Sequence, residues 1–292
     1  MEVEHLLSVN NWLGEGPLWS AVEQALYWVD IRSQRIERFQ LASKHRQSWQ
    51  MEQAVTAIGF RQAGGFVAAT DRGFALWDGN STTLTLLTNP EQDRPFFRFN
   101  DGKVDPAGRF WAGSMYAGPA QNPRPDGRLF RLDEYGQVSL QGSGYTISNG
   151  MGWSPDNRYF YFTDTLCKTI LRFDYDPSTG EICNPQPLVQ DLAEPGYPDG
   201  MTVDTDGCLW SARWGGWKVI RYDPQGKKMD EIALPVEQPS SCVFGGPNFE
   251  TLYVTSAWED LSPEARAAQK MAGDLFCIHG CGRGFAEHSY RG

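Results

Sequence analysis

Asn149-Gly150-Met151-Gly152-Trp153-Ser154-Pro155-Asp156-Asn157, followed almost at once by Tyr159-Phe160-Tyr161-Phe162-Thr163-Asp164, is the stretch on which the fold turns. A polar residue and a glycine lead into a short apolar run. Ser154-Pro155-Asp156-Asn157 then supplies a strong type I turn, and β-branched and aromatic residues supply a second strand. A small turn running straight into a short apolar strand recurs at Gly14-Glu15-Gly16-Pro17-Leu18-Trp19, Ala57-Ile58-Gly59-Phe60, Asn100-Asp101-Gly102-Lys103-Val104, Asp199-Gly200-Met201-Thr202-Val203 and Ser241-Cys242-Val243-Phe244-Gly245. Counted from Gly14, Ala57, Asn100, Asn149, Asp199 and Ser241, the steps are 43, 43, 49, 50 and 42 residues. A period of this size, with room for about four strands per unit, is that of a β-propeller blade.

The sequence therefore predicts an all-β, six-bladed β-propeller. It is expected to be one closed ring spanning residues 1–292, with blade heads near 14, 57, 100, 149, 199 and 241. Each head reads as a small turn that runs straight into the first strand. The third strands, such as Thr169-Ile170-Leu171-Arg172-Phe173, alternate apolar and polar residues, as strands nearer solvent do. The last unit ends early, and the segment 3–9 has no unit of its own. It is expected to be the outer strand of the last blade and to close the ring, which removes an open edge. The one good helix candidate is Leu261 to Lys270, with Ser262 at the N-cap and Pro263 at the first helical position. Tyr116 to Asp126, rich in Gly and Pro, reads as a long loop of the third unit.

Composition agrees. The 11 Trp, 11 Tyr and 16 Phe suit the wedges between twisted blades, and the 31 Gly and 18 Pro suit many turns. A net charge of −10 and the lack of any Lys/Arg run disfavour nucleic acid as a partner. No apolar stretch is long enough for a membrane span, and the acidic start Met1-Glu2-Val3-Glu4-His5 lacks a signal core. Cys167, Cys183, Cys208, Cys242, Cys277 and Cys281 are scattered without paired spacing, as expected of reduced packing residues in a cytoplasmic protein. Cys277-Ile278-His279-Gly280-Cys281 offers metal-type side chains, but alternate residues of one short strand make a poor tetrahedral cage. A monomer and a small homo-oligomer are equally compatible with the sequence.

In a propeller the first strand of each blade lines the axis. Glu15, Asn100, Asn149 and Asp199 hold matched positions in four heads, so their carboxylate and amide oxygens converge from separate directions. Such a set suits one divalent cation, whether Ca²⁺, Mg²⁺, Mn²⁺ or Zn²⁺, and the residues do not fix which. Any single Asn-Gly or Asp-Gly would count as a turn; four in register point to a site. Asp30, Asp105, Asp156, Asp164 and Asp206 read instead as turn and cap residues. The four histidines lie in outer or terminal segments, and no Gly-x-Ser-x-Gly elbow or phosphate-binding loop is present. Any chemistry must come from a metal or a carboxylate.

Taken together, Gly14-Glu15-Gly16-Pro17-Leu18-Trp19, Arg98 to Arg109, Ser148 to Ser154, Pro198-Asp199-Gly200-Met201 and Cys242 to Gly246 resemble the senescence marker protein-30 (regucalcin) family of gluconolactonases. The resemblance spans nearly the whole chain. It implies a propeller with one divalent metal on its axis, held by Glu15, Asn149 and Asp199, with Arg98 and Asn100 binding substrate. It also implies hydrolysis of a sugar lactone to the aldonic acid. Asp199 would then be the catalytic base, taking the proton of an attacking water and returning it to the ring oxygen. A family glutamate that binds sugar in animal members falls near Tyr116-Ala117-Gly118, where no acid exists. The segment Trp210 to Trp217 looks more like bacterial aldonolactonases, and packing between blades is the other reading of its Arg213 and Trp214. The rival functions are an organophosphate or aryl-ester hydrolase on the same frame, a non-catalytic interaction propeller, and a calcium buffer.

Overall fold

The computed structural model describes residues 1–118 and 125–292. The strands form six sheets, one per sequence unit, and their six-bladed β-propeller arrangement is the predicted fold. The head strands are Gly14–Ser20, Val55–Arg61, Phe97–Val104, Ser148–Trp153, Tyr197–Val203 and Pro239–Gly245. In blades one to five the next three strands of the chain follow the head in order, antiparallel, toward the outside. In the sixth blade the outermost position belongs to Glu2–Leu7, which pairs antiparallel with Leu275–His279. The part of the long third-unit loop at residues 119–124 lies outside the described residues.

The turns between first and second strands repeat one solution. Gly108 N–H donates to Asp105 O (2.9 Å), Asn157 N–H to Ser154 O (2.8 Å) and Gly207 N–H to Asp204 O (3.0 Å). Gly108, Asn157 and Gly207 have φ of +84°, +57° and +80°, a region open to glycine and tolerated by asparagine. Asp105 does more than cap its turn. It accepts from Ala107 N–H, Arg109 N–H and the Trp111 indole, and pairs with Arg109 at 2.6 Å. Asp204 repeats this with Cys208 N–H, the Trp210 indole and Arg221. These carboxylates are structural anchors for the turn, the indole and an arginine at once.

The core is not a single mass. Successive residues of a strand point to opposite faces of its sheet. Each blade therefore presents two apolar faces, and each face packs on a neighbouring blade. Six buried clusters result, one at each blade–blade junction. Val243 and Phe244 illustrate the split: the first packs toward blade one and the second toward blade five. Aromatic rings fill the wedges, with Trp111 on Phe160 at 5.0 Å and Trp19 stacked on Tyr253 at 5.4 Å.

The helix is shorter than predicted, Pro263–Ala268, but its start is as read: the Ser262 side chain accepts from Ala265 N–H. One element was not foreseen. Ser289–Tyr290 adds to the edge of Val55–Arg61 as a parallel strand, so the tail ends on blade two. On its way it crosses the far ends of the head strands. Arg283 O accepts from Thr205 N–H, and Glu287 pairs with Lys103 at 3.4 Å.

Candidate functional site

The polar heads are not turns. Glu15, Asn100, Asn149 and Asp199 all lie within strands, at places where pairing with the second strand slips. The slip falls between Glu15 and Leu18, Val55 and Ala57, Phe99 and Asp101, Asn149 and Met151, Pro198 and Met201, and Pro239 and Ser241. Every blade thus carries a β-bulge at the same depth. A bulge adds a residue to one strand and re-aims its neighbours, which is why these devices cluster beside functional sites. Here they swing polar side chains out of the blade-to-blade packing and toward the axis.

The glycines next to these residues serve close approach more than backbone turning. Gly102, Gly150 and Gly200 keep ordinary φ, unlike Gly16 at +52°. A Cβ on Gly150 would lie 2.6 Å from Asp199 O, and one on Gly200 would lie 2.1 Å from Ser241 Oγ. Neighbouring head strands meet backbone to backbone at the axis, and only glycine lets them.

The structure divides the four converging residues. The Asn100 amide is committed to the fold: its Oδ1 accepts from Arg98 (3.1 Å) and its Nδ2 donates to Ser148 O (3.1 Å). The Asn149 amide is committed on one side only. Its Nδ2 donates to Thr165 Oγ1 at 3.1 Å, while its Oδ1 is buried without a partner. Asp199 Oδ1 is likewise buried and without a partner. Glu15 accepts from Gly16 N–H at 3.1 Å and is buried. Orphaned buried acceptors cost about 1–3 kcal/mol each, and more when charged. Two of them beside a buried carboxylate make a set of oxygen donors with no internal use.

Electrostatics point the same way. Burial raises the Glu15 carboxyl well above its ordinary range, and the charges of Asp199 and Asp101 add to this. Burial likewise raises Asp199, with Asp101 adding; the neighbouring Asn149 amide and the Gly200 N–H oppose it only in part. Asp101 is pushed up to about 6, again by burial. Sequence reasoning passed over Asp101, although it sits beside Asn100 in the third head. Its signal was a second acid in the same motif. Uncompensated negative charge in a buried pocket is what a cation relieves.

Arg98 is the positive side of the site. Its guanidinium donates to Phe99 O at 2.7 Å as well as to Asn100. Burial first, and the Arg32 charge second, lower it to about 10 against the opposing charges of Glu259, Asp71 and Glu15. Arg32 and Glu259 pair at 2.5 Å close by, and Trp12 stacks on Trp258 at 5.0 Å on the adjoining segments. Arg213 is fully buried, pairs with Asp191 at 3.5 Å and leaves Nε and Nη2 without partners. Trp214 is half-buried and packs against the cluster between blades one and two. At Tyr116-Ala117-Gly118 no acid is present; Tyr116 meets Phe96 and Phe97 edge-on.

The chain is similar over most of its length to known proteins. Residues 13–258 match the family model described as SMP-30/Gluconolactonase/LRE-like region. Human regucalcin is 38% identical over 296 residues, covering 100% of this chain and 99% of that protein. A luciferin-regenerating enzyme structure superposes with a TM-score of 0.92 at 32% identity, covering 99% of both chains. The structure of a calcium-binding regucalcin from Agrobacterium tumefaciens gives 0.92 at 29% identity, covering 98% of this chain and 96% of that one.

Proposed function

This chain belongs to the SMP-30/gluconolactonase/LRE-like family; from that membership and the donors on its axis, we propose that it hydrolyses a sugar lactone to the aldonic acid with the help of one divalent cation. The observation that carries the reading is the pair of partnerless buried oxygens, Asn149 Oδ1 and Asp199 Oδ1, beside the buried Glu15 carboxyl. This donor set fits a hard divalent ion: it is all oxygen, carries two negative charges, and two of its oxygens, Asn149 Oδ1 and Asp199 Oδ1, have no hydrogen bond to lose. Glu15, Asn149 and Asp199 would hold the ion. Asn100 is less suited, since the guanidinium of Arg98 that donates to its carbonyl oxygen would repel a cation there. The calcium-binding relative supports Ca²⁺ as one ion the site takes, and Zn²⁺, Mn²⁺ and Mg²⁺ satisfy the same donors.

A bound divalent ion supplies Lewis-acid polarisation of the lactone carbonyl. The chain's own residues supply the rest. Asp199, whose Oδ1 is buried and has no other partner, is the base. It accepts one proton from the attacking water as the water oxygen bonds to the carbonyl carbon. The bond from that carbon to the ring oxygen then breaks, and Asp199 returns the proton to the ring oxygen. The products are one hydroxyl and one carboxylic acid, with nothing else consumed. Arg98, fixed by Phe99 O, holds Asn100 and directs its remaining donors toward substrate oxygens. The substrate is a small molecule; the acidic surface and the lack of a basic stripe suit neither nucleic acid nor an anionic lipid face.

The test strips the protein with a chelator, restores single divalent ions, and follows acid release from a panel of aldonolactones beside paraoxon and phenyl acetate. Metal-restored turnover of an aldonolactone is the expected result. Turnover of paraoxon or phenyl acetate alone would move the site to the organophosphate and aryl-ester class. Binding of Ca²⁺ with no turnover of any substrate would leave a calcium-binding propeller.

A further inference from the structure

A second cluster of metal-type side chains lies far from the axis, where the first strand of the chain joins the last blade. Glu2–Leu7 and Leu275–His279 pair with Glu4 opposite Cys277 and Glu2 opposite His279. Residues two apart on one strand and the residue facing them share one side of the sheet. Cys277, His279 and Glu4 therefore meet. Cys277 Sγ lies 3.6 Å from His279 Nε2 and 3.9 Å from Glu4 Oε2, and these last two lie 3.5 Å apart.

We propose that Glu4, Cys277 and His279 form a peripheral site for a thiophilic divalent ion of the Zn²⁺ class, which fastens the first strand to the sixth blade. The geometry is that of an ion's own coordination shell. Zn–S bonds of about 2.3 Å and Zn–N or Zn–O bonds of about 2.0–2.1 Å at tetrahedral angles require S–N and S–O edges of about 3.6 Å and an N–O edge of about 3.3 Å. The three observed edges match within a few tenths of an ångström. No strand has to move to admit the ion.

The two-residue spacing of Cys277 and His279 makes half a site, and the neighbouring strand completes it. Cys281, the other thiol of this segment, takes no part: its Sγ is buried and donates to Ile278 O at 3.4 Å. Cys277 is 3% exposed and forms the floor, while the Glu4 and His279 side chains are 64% and 47% exposed at the rim. The fourth position faces solvent, on the side of the sheet that also carries Glu2. Charge closes as well. A thiolate and a carboxylate with a neutral imidazole balance a 2+ ion. Burial, with Glu4 adding, pushes the free thiol up to about 12, so binding displaces its proton to solvent.

Co²⁺ serves as the spectroscopic probe, because its thiolate charge-transfer band reports a Co–S bond and the axial oxygens cannot produce one. The full chain, reduced, should show this band rising to saturation, with about one proton released per Co–S bond formed, and Zn²⁺ should bleach it. Cys277→Ser should abolish the band, and His279→Ala should weaken Co²⁺ affinity at least tenfold. Asp199→Asn at the axis should leave it intact. Zn²⁺ at about 100 times its Kd should raise Tm by roughly 5 °C more in the wild type than in His279→Ala. A wild-type protein without the band overturns the proposal, as does a band of full strength in Cys277→Ser or one lost only with Cys167 or Cys183. His279→Ala keeps the buried thiol, so it decides the matter even if Cys277→Ser folds poorly.

Discussion

Adding one methyl group to Gly200 should inactivate the axial site while leaving the ring folded. Its φ lies outside the left-handed region, so alanine meets no backbone penalty there and the whole effect is steric. The new Cβ would sit 2.1 Å from Ser241 Oγ, 2.4 Å from its Cβ and 2.8 Å from its Cα, against an ordinary contact of 3.4 Å or more. Turning the Ser241 hydroxyl away relieves only the first contact. The Cβ and Cα are fixed by the sixth head strand, so the fifth and sixth heads must part by about 1 Å. Overpacking of this kind costs about 1–3 kcal/mol, or a Tm lower by about 3–10 °C in a chain of this size. Asp199 is the adjacent residue and moves with the strand. A misplacement of about 1 Å in a reacting group costs roughly 100-fold in turnover. Gly200→Ala should therefore lose about two orders of magnitude in kcat on an aldonolactone, measured by acid release, with a modest fall in Tm by calorimetry. Adding Ser241→Gly removes two of the three clashing atoms and should recover part of both losses. Wild-type Tm and turnover in Gly200→Ala would refute the backbone-to-backbone packing on which the site rests.

Asp199→Asn should abolish turnover. In chelator it should also raise Tm by a few degrees, because one of three mutually repelling buried carboxylates is gone; unchanged kcat would remove Asp199 from its role as base. Arg98→Ala should raise KM about tenfold or more with a smaller fall in kcat, read from initial rates across a lactone titration. Deleting residues 1–9 strips Leu6, Leu7 and Val9 from the junction between blades six and one and takes His5 and the Val9 N–H from Asp274. Tm should fall by roughly 10 °C or more, and a truncation that melts with the full chain would deny the strand any part in closure.

The repeat was legible because four units open on a polar residue beside a glycine, and three carry an Asp/Gly or Pro-Asp turn a few residues on. The anchoring by Asp105 was partly legible: a turn aspartate was expected, but its bonds to Trp111 and Arg109 join residues whose contact depends on strand pairing. The heads were misread as turns for a physical reason. Asn-Gly is a turn signal in an isolated peptide, and the sequence does not state that the neighbouring head strand forbids a side chain at Gly150 or Gly200. The division among the four polar heads was hidden too. Asn100 and Asn149 look equivalent in the chain, and only the Arg98 guanidinium, reaching back two residues, makes one a support and leaves the other with a bare oxygen. Asp101 and the meeting of Glu4 with Cys277 and His279 likewise depend on register and burial, which no local pattern encodes.

The six bulges lie at one level, yet they carry different residues. Blade two offers Thr56, whose hydroxyl is buried without a partner, and blade six offers Ser240, whose hydroxyl is tied to Gly14 O and Thr255. Because a bulge loosens its strand only locally, the residue it presents can be exchanged without disturbing the wedge of rings behind it. The frame thus separates two kinds of inheritance: large aromatic and aliphatic side chains that must be kept together, and a short list of inward-facing positions that selection is free to edit one at a time.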